Sequence, residues 1–93
     1  MKIYSVLITN SDRLISGDKT VKRKTNPAII GKNIKCLRNQ RGVSQATTAI
    51  NVSISRSLLA SLEVGANYPS IPVLCSLAHY FGVSTDYILG LDD

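Results

Sequence analysis

The stretch Ser44–Gly65, SQATTAINVSISRSLLASLEVG, limits what this chain can fold into more than any other part of it. Ser44 and Ser55 stand directly before short runs of helix-forming residues, where a hydroxyl can accept a backbone N–H and begin a helix. Gly65 follows the second run and favours a helix end. The predicted elements are a helix over Gln45–Asn51, a turn over Ser53–Ser55 and a helix over Arg56–Val64.

The remainder of the chain after residue 25 carries the same start and stop signals. Asn26 and Pro27 suit a helix start, because Asn can accept a backbone N–H and the first helical position needs no N–H of its own. Ser70 and Ser84 are two further caps. We therefore predict three more helices, which begin at Pro27, after Ser70 and after Ser84, and which end before Gly42, Gly82 and Gly90.

Apolar residues recur at helical spacing within these segments, so that the longer helices have one face for a shared core. The predicted core residues are Ile30, Ile34, Leu37, Leu59, Leu62, Leu74, Leu77, Ala78 and Phe81. Five helices joined by short loops predict a compact all-α domain over residues 26–93.

Residues 1–25 have a different character, and we predict a non-helical N-terminal extension there. Lys2–Thr9 is rich in β-branched and aromatic residues, which favours a short strand that needs a partner to be stable. Asn10–Thr25 has little periodicity and predicts a linker or an arm. Whether the strand pairs across a dimer or is a tail stays open. No cleavage site of small residues follows Met1–Thr9, so we expect no signal peptide.

The positive charge of the chain is unevenly distributed. The net charge is +5. Residues 1–25 carry six basic and two acidic side chains, whereas residues 26–93 carry five basic and four acidic side chains. A polyanionic partner is therefore indicated, with most of the positive field in the extension.

Metal, catalytic and membrane functions find little support. Cys75 and His79 are four residues apart, which is a metal-ligand spacing, but no cluster provides a third or fourth ligand. We expect a packed Cys75, an exposed His79 and neither metal nor cofactor. Cys36 and Cys75 make no disulfide scaffold, which favours a reduced, cytoplasmic setting. No nucleophile motif indicates an enzyme, and the apolar runs are too short to span a bilayer.

A set of residues within Ile29–Leu91 forms a joint pattern. It consists of IGKNIKCLRNQRGVSQ from Ile30, then Ala49, Val52, Ser55, Arg56, Ser57, Leu59, Leu62, Glu63, Gly65, Pro69 and Ser70, and LAHYFGVSTDYILG from Leu77. This pattern resembles the lambda-repressor-like helix-turn-helix family, and more narrowly its Cro and phage-repressor type. Each piece is a weak motif, but their joint order and spacing are specific.

The resemblance implies a sequence-specific, DNA-binding transcriptional regulator, a repressor that acts as a homodimer on a pseudo-palindromic operator. The implied DNA-binding residues are Gln45, Ser55, Arg56, Ser57, Ala60, Ser61 and Asn67. Gln45 donates to a phosphate in this picture, and the planar fork of Arg56 fits guanine. Ser57 and Ser61 are less selective, and Ala60 can contact only a thymine methyl group.

A basic cluster in the extension, Lys19, Lys22, Arg23 and Lys24, suggests an arm that reaches the minor groove or phosphates. The alternative is a solvated linker.

The resemblance also implies two structural features, an ion pair between Arg38 and Glu63 and a small residue, Ala49, where the second and third helices cross. The sequence departs from the family at several positions. Thr48 stands where Leu is usual, Leu58 stands where a polar residue is usual, and Ser61, Val64 and Ala66 stand where Arg or Lys is frequent.

A second function remains possible: a protein-interaction module with the same fold, of the antitoxin or repressor-partner type, with weak or no DNA binding. Its expected contact patch consists of exposed apolar side chains at Ile50, Leu58 and Val64.

Overall fold

A computed structural model describes residues 24–92 of the 93-residue chain. The helices in this part are α1 (Pro27–Arg41), α2 (Gln45–Asn51), α3 (Arg56–Glu63), α4 (Ile71–Phe81) and α5 (Thr85–Leu89). These residues form an all-α domain, as the sequence predicts. The strand predicted over Lys2–Thr9 and the arm residues Lys19, Lys22 and Arg23 lie outside the described residues.

Each helix begins at its predicted N-cap. The cap side chains accept the backbone N–H three residues further on, at 2.9 Å for Asn26, 3.0 Å for Ser44, Ser55 and Ser84, and 3.3 Å for Ser70. These bonds satisfy amide donors that a helix N-terminus leaves without intrahelical partners. One end differs from the prediction, because α3 stops at Glu63 and Val64 is its C-cap.

The core is the predicted one, with α1 in the central position. All nine predicted core side chains are buried, together with Ala49, Val52 and Ile88. Helix α1 packs against α3, α4 and α5, while α2 packs against α3. The orientation of α3 therefore depends on its contacts with α1 and α2.

Gly31 allows α1 and α3 to approach each other at backbone distance. A Cβ atom at this position would overlap the carbonyl oxygen of Leu62 and lie 2.7 Å from that of Glu63. Any side chain here would push the two helices apart. The C-terminal end of α3 is thus seated directly on the backbone of α1.

Two polar side chains of α1 hold the ends of other helices. The Asn33 amide donates to the carbonyl oxygens of Tyr87 and Ile88 at 3.2 and 3.0 Å. Arg41 Nη2 donates to the carbonyl oxygen of Phe81 at 2.6 Å. Carbonyl groups at a helix end lack intrahelical donors, so these bonds fasten α4 and α5 to α1.

The expectation of a packed Cys75 is wrong, because its side chain is exposed. The buried face of α4 consists of Leu74, Leu77, Ala78 and Phe81, and Cys75 lies outside that stripe. No helix within residues 24–92 is long and apolar enough to cross a membrane.

Candidate nucleic-acid interface

The α2–α3 connection is tight because one residue adopts a left-handed backbone conformation. Ser53 has a φ of +60°, and Ile54 N donates to the carbonyl oxygen of Ala49 at 3.0 Å. Ala49 itself is 2% exposed. The side chain of Ala49 is thus part of the core, while its carbonyl group accepts the hydrogen bond that closes the turn.

The two sides of α3 differ in exposure. Leu59 and Leu62 are fully buried against the core. On the other side, Ser55, Arg56 and Ser57 are exposed, and Ala60 and Ser61 are partly exposed. The surface that the family resemblance implies for base contacts is therefore accessible, and Arg56, Ser57, Ala60 and Ser61 share one face of α3.

Two further residues of the predicted DNA-binding set lie outside α3. Asn67 is exposed in the loop that follows α3. Gln45, at the first position of α2, is partly exposed, and its Nε2 donates to Glu63 Oε1 at 3.0 Å. An amide group has two N–H bonds, so one remains for an outside acceptor such as a phosphate. The bond to Glu63 holds the Gln45 side chain in place.

The ion pair expected between Arg38 and Glu63 is present and has two parallel hydrogen bonds. Arg38 Nε lies 2.7 Å from Glu63 Oε2, and Arg38 Nη2 lies 3.0 Å from Glu63 Oε1. Arg38 Nη1 also donates to the carbonyl oxygen of Val43 at 3.0 Å. This arrangement joins α1, the α1–α2 loop and the last residue of α3, and the bidentate geometry restricts their mutual orientation.

The pair shifts the protonation equilibria of both side chains. Burial alone raises the pKa of Glu63, but hydrogen bonds from Arg38 and Gln45 and the charges of Arg38 and Lys35 lower this pKa below its ordinary value. The hydrogen bond to Glu63 raises the pKa of Arg38 against the opposing effect of burial. Glu63 is therefore ionised at neutral pH.

The predicted apolar contact patch is only partly present. Ile50 and Val64 are 77% and 80% exposed. Leu58, in contrast, is partly buried and packs against the core, so its expected exposure is wrong. The physical reason is helical periodicity: Leu58 precedes the buried Leu62 by four residues and lies on the same side of α3.

Thr48, the departure from the usual Leu, is fully buried. Its hydroxyl oxygen has no hydrogen-bond partner in the described structure. The fold accommodates this residue with an unpaired polar atom in its core.

Several structural contributions were not anticipated from the sequence. Gly31 could have been noticed, because glycine inside a helical pattern often marks a close backbone approach. The bonds from Asn33 to α5 and from Gln45 to Glu63 connect residues distant in the sequence and leave no comparable signal.

Comparisons with known proteins agree with this geometry. Residues 31–93 match the family model for a helix-turn-helix domain. The chain is 33% identical over 64 residues to the HTH-type transcriptional regulator ImmR of Bacillus subtilis strain 168, an alignment that covers 69% of this chain and 50% of ImmR. It is 33% identical over 61 residues to the immunity repressor protein of Bacillus phage phi105, with 66% of this chain and 42% of that protein covered.

A similar solved structure is the P22 c2 repressor protein in complex with a synthetic operator. The TM-score is 0.65 at 25% identity, and the match covers 68% of this chain and 96% of the repressor chain. The chain spans only 50% of the length of ImmR and 42% of that of the phi105 immunity repressor. The first is named as a transcriptional regulator and the second as a repressor, and neither is named as an enzyme. The capping pattern, the Arg38–Glu63 ion pair and the turn geometry agree with the family match. The chain therefore belongs to the helix-turn-helix domain family and has the lambda-repressor type of fold.

Proposed function

We propose that this chain is a transcriptional regulator that binds a specific sequence of double-stranded DNA through α3. The observation that carries the proposal is the contrast between the two sides of α3. Its inner side is held by buried leucines and the Arg38–Glu63 pair, whereas its outer side is accessible along Arg56, Ser57, Ala60 and Ser61. A helix held rigidly with one free polar face suits the major groove.

Arg56 is the side chain we propose for the main base contact. It is exposed at the first position of α3 and carries the only positive charge within Ser44–Gly65. Its guanidinium group can donate to O6 and N7 of guanine, which is worth about 1–3 kcal/mol of discrimination. Ser57 and Ser61 are secondary readers, and Ala60 contacts a thymine methyl group.

Neutral donors carry the proposed backbone contacts of this domain. The N-terminus of α2 with Gln45, the hydroxyl of Ser55 and the amide of Asn67 can each donate to a phosphate oxygen. Arg38 and Arg41 are engaged in bonds within the domain and are less available. We propose that Lys19, Lys22, Arg23 and Lys24 supply the remaining positive charge as an arm.

We further propose a homodimer that occupies a pseudo-palindromic operator in the cytoplasm and represses transcription by occupancy. Two α3 helices spaced by about 34–36 Å reach successive half-sites of one duplex face. The named relatives support repression, since one is a phage immunity repressor and a structural relative is a repressor seen with operator DNA.

Selection of bound duplexes from a random DNA pool tests the proposal. The full chain is expected to enrich one pseudo-palindromic motif, and Arg56→Ala is expected to relax the preference at one position in each half-site. Lys32→Ala removes an exposed positive charge from α1 and serves as the control, with the motif unchanged. Absence of an enriched motif for the wild-type chain would sink the proposal.

Exposed apolar side chains favour a second candidate, the protein-interaction module. Ile50 and Val64 are the relevant residues, since Leu58 packs against the core. If this candidate is correct, Ile50→Asp abolishes a partner complex captured with the full chain while DNA binding stays at the wild-type level. Equal partner capture by wild type and variant contradicts it.

A further inference from the structure

The loop that joins α3 to α4, together with the first turn of α4, carries exposed apolar side chains that the proposed DNA contacts do not use. Tyr68 and Ile71 are 58% and 71% exposed, and Ala66 and Pro72 are exposed close to them in the sequence. We call these four residues the loop patch. Apolar residues scattered singly are normal on a protein surface, whereas several grouped in one segment indicate a contact surface.

The loop patch is held in place before any partner binds. At one end, Ala66 N donates to the carbonyl oxygen of Ser61 at 3.0 Å. At the other end, Ser70 Oγ accepts the N–H of Val73 at 3.3 Å. Pro69 lies between these two bonds, and its ring fixes one backbone dihedral angle. A surface that is already ordered loses little conformational entropy on association.

The charge distribution favours a second copy of this chain as the partner. The net charge of +5 makes two copies repel each other in most orientations. Residues 64–85, which include the whole loop patch, contain no Lys, Arg, Asp or Glu. In a two-fold dimer the same patch of each copy faces its mate. An uncharged patch can do this without placing like charges opposite each other.

We propose that the loop patch is the contact between the two copies of the homodimer, an inference that rests on the proposed function. Half of the spacing between two reading helices is about 17 Å. Val64, the C-cap of α3, lies about 7 Å from the middle of that helix at a rise of about 1.5 Å per residue. The four residues from Val64 to Tyr68 can span up to about 13 Å. The loop patch can therefore reach the two-fold axis while the outer side of α3 stays accessible.

Sedimentation equilibrium of the reduced full chain without DNA, from about 10 µM to about 1 mM, tests the proposal. Four side chains contribute less than a standard interface of about 800 Å² per partner, so we expect a weak dimer that forms with rising concentration. Ile71→Asp and Tyr68→Ser should each raise its dissociation constant at least about tenfold. Ile50→Asp is the matched control, because Ile50 is 77% exposed on α2, outside the loop patch. Its dissociation constant should equal that of the wild type.

Three results overturn the proposal: a wild-type chain that stays monomeric throughout, variants at Tyr68 and Ile71 that dimerise as the wild type does, or an Ile50→Asp variant that is weakened as much as Ile71→Asp. Selection of bound DNA by the wild-type chain separates this failure from that of the proposed function, because an enriched motif with any of these results overturns the loop patch alone. Far-UV circular dichroism checks the folding of each variant, and the exposure of all three positions leads us to expect native spectra.

Discussion

At the scale of single residues, the buried hydroxyl group of Thr48 lowers the stability of this domain. It is fully buried without a partner, and an unsatisfied buried polar group costs about 1–3 kcal/mol. Thr48→Val keeps the shape and removes that group, so we expect the free energy of unfolding to rise by about 1 kcal/mol in a urea titration. The reverse change at the buried Val52, Val52→Thr, should lower the free energy of unfolding. A Thr48→Val variant less stable than the wild type would contradict the destabilising role of the Thr48 hydroxyl.

Glu63 makes the stability of the domain depend on pH. Its pKa is lowered in the folded chain from the ordinary value of about 4.5, so the stabilisation is present above that ordinary value and is lost as pH falls through the folded pKa. We expect thermal unfolding to show a falling Tm in this acid range. Glu63→Gln should be less stable at pH 7 and lose less stability on acidification. An equal loss of stability in the variant and the wild type would contradict this account.

At the scale of elements, a substitution at Gly31, where α1 contacts α3, has two opposing effects on the free energy of unfolding. Alanine is the better helix former by about 1 kcal/mol. However, its Cβ would overlap carbonyl oxygens of α3, and overpacking costs about 1–3 kcal/mol or more. We expect Gly31→Ala to lower the free energy of unfolding by about 2 kcal/mol, measured by urea titration. Asn39→Ala, on the exposed side of α1, is the control and should be neutral or stabilising.

The turn between α2 and α3 has a backbone cost of its own. A residue with a side chain loses about 1–2 kcal/mol in the left-handed region, and Ser53 adopts it with a φ of +60°. Ser53→Gly relieves this cost but adds entropy to the unfolded chain, so we expect a net gain of about 0.5 kcal/mol in denaturant unfolding. Ser76→Gly, within helix α4, should instead lose about 0.5 kcal/mol, because Gly is a poorer helix former than Ser. Equal losses in the free energy of unfolding for Ser53→Gly and Ser76→Gly would contradict the backbone cost that we assign to Ser53.

Capping and periodicity predicted most of these elements because both are local. Side chains of Ser44, Ser55 and Ser70 contact amides only three residues away, so the sequence order itself brings the partners together. The end of α3, the partial burial of Leu58 and the exposure of Cys75 were harder to predict, since each depends on which side of a helix meets its neighbours.

At the scale of the whole molecule, we expect the basic arm to contribute mainly to the affinity for DNA and α3 mainly to the preference for particular bases. We expect replacement of Lys22, Arg23 and Lys24 by alanine to reduce the salt dependence of DNA affinity, by about 0.9 in the slope of log K for each phosphate that the arm no longer neutralises. The preferred sequence should stay the same. Arg56→Ala should do the opposite, changing base preference with a smaller effect on the slope. Fluorescence anisotropy at several salt concentrations measures both, and an unchanged slope in the triple variant rules out the arm.

The sequence by itself determined the positions of the five helices and the core stripes, because both follow from local hydrogen bonding and from the 3.6-residue period. The candidate reading residues of α3 came from the resemblance of the sequence to a known family. Only the tertiary structure decided how α3 is held, through the backbone contact at Gly31 and the bonds among Arg38, Gln45 and Glu63. These depend on helix packing between residues far apart in the chain, and such distances appear only after the core has formed.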